Sequence, residues 1–187
     1  MKSRIAETKY IAYIAVLVAI NVLLNAFSLP LLGGIVEVSF TYIPCFIAGI
    51  FMGPVAGLLV GLLGDLLGVI IYPHGAWIPL ITLASALMGF IVGLIFKYLP
   101  LHAMAKLIIS LVVVFIICSA GINTYALYVV YAQGSKTFWV YLIGRTPTQS
   151  LVYLVNGIIL YAIYYPLKKL IFKEQVYFHG NKAKTAQ

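Results

Sequence analysis

The chain has 187 residues, of which 64% are hydrophobic and only 9% are charged, and its mean hydropathy is +1.10. This composition excludes an ordinary soluble globular domain and indicates an integral membrane protein. The formal net charge of +8 comes from basic residues at the ends of apolar runs, so it indicates membrane topology and contact with anionic lipid heads, not a nucleic-acid surface.

Apolar runs between Pro and Gly breaks predict a compact all-α bundle of six transmembrane helices. These helices cover roughly residues 10–28, 38–52, 54–71, 78–97, 104–132 and 147–172. The predicted organisation is an amino end over 1–9, a membrane domain over 10–172 and a basic tail over 173–187. Because residues 10–27 carry no charge and are numerous enough to span, the first helix is expected to be kept and not cleaved as a signal peptide.

The distribution of Lys and Arg sets the expected orientation. Ten of the twelve lie in the amino end, in the connection between the fourth and fifth helices, and in the tail, while only Lys136 and Arg145 lie on the other side. Both termini are therefore predicted to be cytoplasmic. The connections 29–37, 72–77 and 133–146 are then predicted to face outward.

The first helix contains a stripe of alanines. Ala12, Ala15, Ala19 and Ala26 recur at spacings of three, four and seven. Small residues at such spacings let helices approach closely in a membrane. The stripe is explained either by packing inside the bundle or by a docking surface for a partner helix.

The third helix places one carboxylate on a face of small residues. Gly57, Gly61, Asp65 and Gly68 recur at spacings of four, four and three, so Asp65 is predicted to point inward, about 9 Å below the outer end of its helix. An intramembrane carboxylate costs a few kcal/mol and is by default a functional-site candidate. The alternative is a structural carboxylate paired with a helix Asn or a Tyr hydroxyl. In the fourth helix, Ser85 with the glycines that follow it at spacings of four predicts tight internal packing.

The outward connections hold many of the aromatic residues. Tyr72, His74 and Trp77 lie in or beside the second connection, Tyr42 lies near the first and Trp139 in the third. An aromatic belt at the membrane interface explains such residues without a ligand, while walls of a ligand pocket near the buried charges are the alternative. His74 is either a gate or ligand contact or an ordinary loop residue.

The stretch GRTPTQ, residues 144–149, contains an arginine that its neighbours do not explain. Thr146 with Gln149 matches a capping box, and Pro147 suits the first position of a helix. Arg145 beside the positive end of a helix dipole is unfavourable and needs an anionic partner. That partner is Glu37, a lipid phosphate, or a carboxylate or phosphate on a ligand.

Several kinds of chemistry have no signature in the sequence. There is no phosphate-binding loop of the G-x-x-x-x-G-K-[ST] type, no metal-binding HExxH motif and no second carboxylate inside a helix. Cys45 and Cys118 lack neighbours at metal-ligand spacing and are expected to serve packing. These observations favour a membrane-embedded binding unit, without a cofactor or metal of its own, whose energy comes from partners.

The chain combines six helices within this length with the Ala15-Val16-Leu17-Val18-Ala19 motif and the stretches "FMGPVAGLLVGLLGDLLG" and "YPHGAWIPLITLASALMGFIVGL". In these features it resembles an S component of an energy-coupling factor (ECF) vitamin transporter, most closely of the folate-specific branch. The resemblance implies a high-affinity vitamin-binding subunit of the bacterial cell membrane, with its pocket near the outer face. It also implies a transmembrane scaffold (T component), contacted by Ala15 and Ala19, and two cytoplasmic ATPases that use ATP.

The polar residues suit folate as the ligand. Asp65 would accept the adjacent donors of the pterin, Trp or Tyr rings would stack on it, and Arg145 or Lys136 would bind the glutamate tail. The candidate substrate-binding residues are Glu37, Tyr42, Asp65, Tyr72, His74, Trp77, Lys136, Trp139 and Arg145. The alternatives are pantothenate, thiamine or riboflavin as the vitamin, an intramembrane enzyme using Asp65 with Arg145, or an assembly factor that binds no small molecule.

Overall fold

The computed structural model describes residues 2–27, 29–31, 36–73, 77–132 and 137–170, with side chains described within 8–27, 39–73, 77–132 and 137–169. The predicted helical bundle is confirmed over these residues. Its helical segments are α1 (Lys2–Ala26), α2 (Tyr42–Met52), α3 (Pro54–Ile71), α4 (Pro79–Tyr98), α5 (Ala103–Ala132) and α6 (Phe138–Leu170). Five of them contain a stretch long and apolar enough to cross a membrane, whereas α2 is shorter.

The second predicted helix is shortened by a hairpin that precedes it. Strands β1 (Leu29–Leu31) and β2 (Val36–Val38) pair antiparallel, with Leu29 opposite Val38. The chain therefore enters α2 at Tyr42 and not at residue 38 as predicted. The helix ends at Gly53, whose φ of 97° suits a residue without a Cβ, and α3 begins at the next residue.

The sixth helix begins nine residues before its predicted start at 147. Pro147 lies inside α6, where it cannot donate to the carbonyl one turn earlier. The hydroxyls on either side of it bond to carbonyls of the preceding turn: Thr146 Oγ1 donates to Leu142 O over 2.7 Å, and Thr148 Oγ1 to Arg145 O over 2.8 Å. The predicted capping box is therefore wrong, because Thr146 bonds backward within a continuous helix.

The α3–α4 interface is built from glycine. A Cβ on Gly57 would strike the Gly89 carbonyl, and one on Gly61 would strike the Ser85 carbonyl. Backbones so close pack through van der Waals contact, which confirms the packing role predicted for Ser85 and Gly89. The face of α3 that holds Gly68 instead meets α1, because a Cβ there would lie 2.6 Å from Asn25 Nδ2.

Helix α5 is not a uniform α-helix. Its α-helical part, Ala103–Val114, is followed by a π-helical segment over Phe115–Asn123, and a second π-helical segment covers Tyr128–Ala132. π-helical turns are rare and concentrate at functional sites, since they widen the helix and redirect side chains. Nothing in the sequence analysis predicted this feature.

Candidate ligand-binding site

One face of α6 carries most of the buried polar groups of that helix. Tyr141, Arg145, Gln149, Tyr153 and Asn156 are all buried, and their spacings of four, four, four and three place them on the same side of the helix. Polar side chains facing the interior of a membrane bundle are costly and mark binding sites or pathways. This face of α6 supplies most of the polar side chains of the candidate site.

Arg145 lies inside the protein and not at its rim. The residue is 4% exposed, and its Cζ lies 5.9 Å from the centre of the Tyr141 ring. Among the described residues, its Nε and Nη1 find no hydrogen-bond acceptor. A buried guanidinium without a partner is strongly unfavourable. Its burial therefore favours a partner inside the bundle, which is either an anionic ligand group or the side chain of Glu37, over a lipid phosphate outside it.

The π-helical segment of α5 contributes the facing side chains. Ser119 Oγ donates to Gln149 Oε1 over 3.4 Å, which joins the two helices, and Thr124 Oγ1 donates to the Ser119 carbonyl over 2.8 Å. The buried Asn123 Oδ1 has no donor among the described residues. The segment thus holds an acceptor available to a ligand, Asn123 Oδ1, near the Ser119–Gln149 hydrogen bond.

The floor of the site is the start of α2. With 11 residues, α2 rises only about 16 Å, which is half of a hydrocarbon core of about 30 Å. Of the non-helical residues before it, Ser39 is buried and Phe40 and Thr41 are partly buried, so their carbonyls need partners. Asn156 Nδ2 donates to Ser39 O and Asn21 Nδ2 to Thr41 O, each over 3.2 Å.

Three aromatic rings close the floor. The centroids of Tyr42 and Tyr153 are 4.8 Å apart, and Phe115 meets Tyr153 edge-on at 5.2 Å. Above them, Asn156 Oδ1 is a second buried acceptor without a donor among the described residues. The candidate site thus combines a cation, two amide acceptors and a cluster of aromatic rings, which suits an aromatic ligand with hydrogen-bond donors and a negative charge.

Asp65 belongs to a different cluster, between α3 and α4. Thr82 Oγ1 donates to Asp65 Oδ2 over 2.7 Å and Ser85 Oγ to Oδ1 over 3.2 Å, while Trp77 Nε1 donates to Thr82 Oγ1 over 3.1 Å. The partners are therefore Ser and Thr hydroxyls, not the Asn or Tyr foreseen for a structural carboxylate. Helix α3 packs on α1, α2 and α4, whereas α6 packs on α2, α5 and β2.

The other predicted residues are divided between site and surface. Tyr42 lies in the site with Arg145, but Tyr72, Trp77 and Trp139 are 38%, 53% and 66% exposed, as an aromatic belt would be. His74, Lys136 and the Glu37 side chain lie outside the described residues.

Four polar residues of the site were not predicted: Ser119, Asn123, Gln149 and Asn156. For the two on α6, the signal was their spacing from Arg145, of four and eleven residues along one helix face. It was missed because the helix was expected to start at 147.

The alanine stripe of α1 faces away from the bundle. Ala12, Ala15 and Ala19 are exposed, while the opposite face buries Leu17 and Val18. Internal packing therefore does not account for these three alanines.

Comparison with known proteins identifies the family. A family model described as "ECF-type riboflavin transporter, S component" matches residues 5–166. The chain belongs to this family of ECF S components. Members of this family are transport subunits and not enzymes, so the intramembrane-enzyme alternative is wrong. The chain is accordingly a multi-pass membrane protein.

Individual relatives agree with this assignment. A protein of Clostridium novyi (strain NT) described as the folate transporter FolT is 23% identical over 164 residues, which is 88% of this chain and 92% of the relative. A crystal structure of FolT bound with folic acid matches with a TM-score of 0.73 and 22% identity, over 87% of this chain and 96% of that one. The S component of a bacterial ECF transporter matches with a TM-score of 0.71 and 25% identity, over 88% and 98%.

Proposed function

We propose that this S component binds folate with high affinity and delivers it for uptake. The observation that carries the proposal is the buried guanidinium of Arg145, whose Nε and Nη1 have no hydrogen-bond acceptor among the described residues, on a polar face of α6. The similarity to a protein described as a folate transporter supports the choice of vitamin.

In this proposal, the two ends of folate meet different groups. A carboxylate of the glutamate tail pairs with Arg145, since charge-assisted hydrogen bonds are the strong ones. The pterin lies against Tyr42 and Tyr153, and its amino and ring N–H donors reach Asn156 Oδ1, which has no donor among the described residues. Ligand and site then satisfy each other's buried polar groups.

The alternative assignment of the pterin to Asp65 stays a prediction. Both Asp65 oxygens already accept hydroxyl hydrogen bonds, although a carboxylate oxygen can accept more than one. These contacts favour a structural role for Asp65, as a link between α3 and α4. Its substitution separates the two roles, as described in the Discussion.

Transport requires partners. We propose that a transmembrane scaffold docks on the exposed alanines of α1, with Ala15 and Ala19 at the contact, and that two cytoplasmic ATPases supply energy from ATP. Small side chains allow a partner helix to approach closely. The proposed location is the bacterial plasma membrane, with both termini on the cytoplasmic side, as the basic residues predict.

Riboflavin is the second candidate, because the matching family model carries that vitamin in its description. Its ring system could contact the same cluster of aromatic rings. It carries no anionic group, however, so Arg145 would stay without a partner. Folate therefore accounts for more of the described site than riboflavin does.

The experiment that tests the function is vitamin uptake. Proteoliposomes containing this chain, the scaffold and both ATPases are loaded with ATP, and entry of radiolabelled folic acid is measured with unlabelled folate, riboflavin, thiamine or pantothenate as competitors. We expect uptake that depends on ATP and that only folate suppresses. Absence of folic acid uptake, together with ATP-dependent uptake of radiolabelled riboflavin, would assign the site to riboflavin.

A further inference from the structure

An apolar groove of about 330 Å³ opens on the surface between α5 and α6. Its walls include Leu107 and Leu111 from α5 and Leu154, Gly157 and Tyr161 from α6. The groove is open because position 157 is glycine: a Cβ there would lie 2.9 Å from Leu111 Cδ1. A larger residue at this position would displace Leu111 and fill the space.

A second cavity, of about 460 Å³, lies nearer the carboxyl end of α6. It is lined by Tyr165, Pro166, Lys168 and Lys169, so it combines two cations with an aromatic hydroxyl. Lys168 is held close by, with its Nζ 6.0 Å from the centre of the Tyr164 ring. The two lysines are expected to attract an anion, since basic residues beside a membrane helix attract anionic head groups.

The two cavities lie on the same side of the helix. Leu154, Ile158, Tyr161 and Tyr165 recur at spacings of four, three and four, which is one helix face, and all four are exposed. Seven residues separate Tyr161 from Lys168, or about 10 Å along the axis. The second cavity, here called the cationic cradle because Lys168 and Lys169 line it, thus lies beyond the apolar groove on the same helix face.

We propose that this surface binds one anionic phospholipid, with an acyl chain in the groove at Gly157 and the phosphate between Lys168 and Lys169. The cradle complements the charge of the head group, and the groove accepts a chain that needs no hydrogen bonds. Most of the site lies on the outer surface of α6, and Tyr153, which also belongs to the inward ligand face, lines the inner edge of the groove. The proposal goes beyond vitamin binding and does not depend on which vitamin is bound.

Native mass spectrometry of the full chain tests the proposal. The protein is titrated with phosphatidylglycerol or with phosphatidylcholine of identical acyl chains. We expect one phosphatidylglycerol to be retained, about 30-fold more tightly than phosphatidylcholine, from the attraction of two lysines. Lys168→Gln/Lys169→Gln should remove this preference, while Lys9→Gln/Lys97→Gln, which lowers the net charge equally, should keep it.

The groove is tested separately. Gly157→Leu should reduce retention of both lipids at least tenfold, whereas Gly144→Leu on the same helix should not, because a Cβ at Gly144 meets nothing within 4 Å. Vitamin binding by each variant shows that it has folded. Equal retention of both lipids by the wild-type chain, or an unchanged preference in the double lysine variant, would overturn the proposal. Retention of neither lipid, with loss of scaffold assembly in Gly157→Leu, would assign the groove to a partner helix.

Discussion

Replacing Arg145 with glutamine should change ligand affinity and stability in opposite directions. Arg145 is buried and two of its nitrogens lack partners among the described residues. In the ligand-free chain, removal of this charge relieves a desolvation cost, so the free energy of unfolding should rise by about 1 kcal/mol or more. With folate bound, the same change removes a charge-assisted hydrogen bond worth about 1.5–3 kcal/mol, so Kd should increase about 10- to 150-fold.

A comparison of two ligands isolates the carboxylate. Calorimetry would measure the binding of folic acid, and of a pterin without the glutamate tail, to the wild-type chain and to Arg145→Gln. Arg145→Gln should lose affinity for folic acid but not for the pterin without the tail. Arg145→Lys, which keeps the charge, should recover part of the lost affinity. Thermal unfolding in detergent gives the stability change. A variant that melts at lower temperature and binds folic acid as before would refute the reasoning, because Arg145 would then be paired within the protein.

Three further substitutions test other parts of the account. Asp65→Ala should lower the melting temperature, since the hydroxyl of buried Thr82 loses its acceptor at about 1–3 kcal/mol and that of half-buried Ser85 loses one as well. It should leave folate affinity unchanged in calorimetry; weaker binding by a folded variant would place Asp65 at the pterin. Gly89→Leu should destabilise or unfold the chain, because even a Cβ strikes the α3 backbone, whereas Gly144→Leu should melt like the wild type. Ala19→Trp should abolish ATP-driven uptake but keep folate binding. The control is Val112→Trp, at an exposed position of α5, which is expected to transport; loss of binding in Ala19→Trp would indicate misfolding instead.

The helical bundle was predictable because its signals are local. Helix α3 begins and ends at the predicted residues, since Pro54 suits a first turn and the apolar run stops before Tyr72. The glycine spacings predicted the close approach of α3 and α4, because small residues at intervals of four share a face. These properties depend on composition and period, which a single sequence contains.

The ligand site was only partly predictable, because much of it depends on contacts between residues that are far apart in the sequence. Arg145 was identified because its charge is out of place, but Thr146 and Pro147 imitate a helix start, so the face that continues to Asn156 was hidden. The π-helical segment at Ser119 and the hairpin before α2 depend on tertiary contacts that no local pattern specifies. Asp65 was the most conspicuous residue in the sequence, yet its described partners are hydroxyls of α4.

The most direct test of the central claim is the binding of folic acid to the purified full chain by isothermal titration calorimetry. We expect saturable binding of one folate per chain at micromolar concentration or below, with no comparable heat from riboflavin. Saturable binding of riboflavin without binding of folic acid would contradict it.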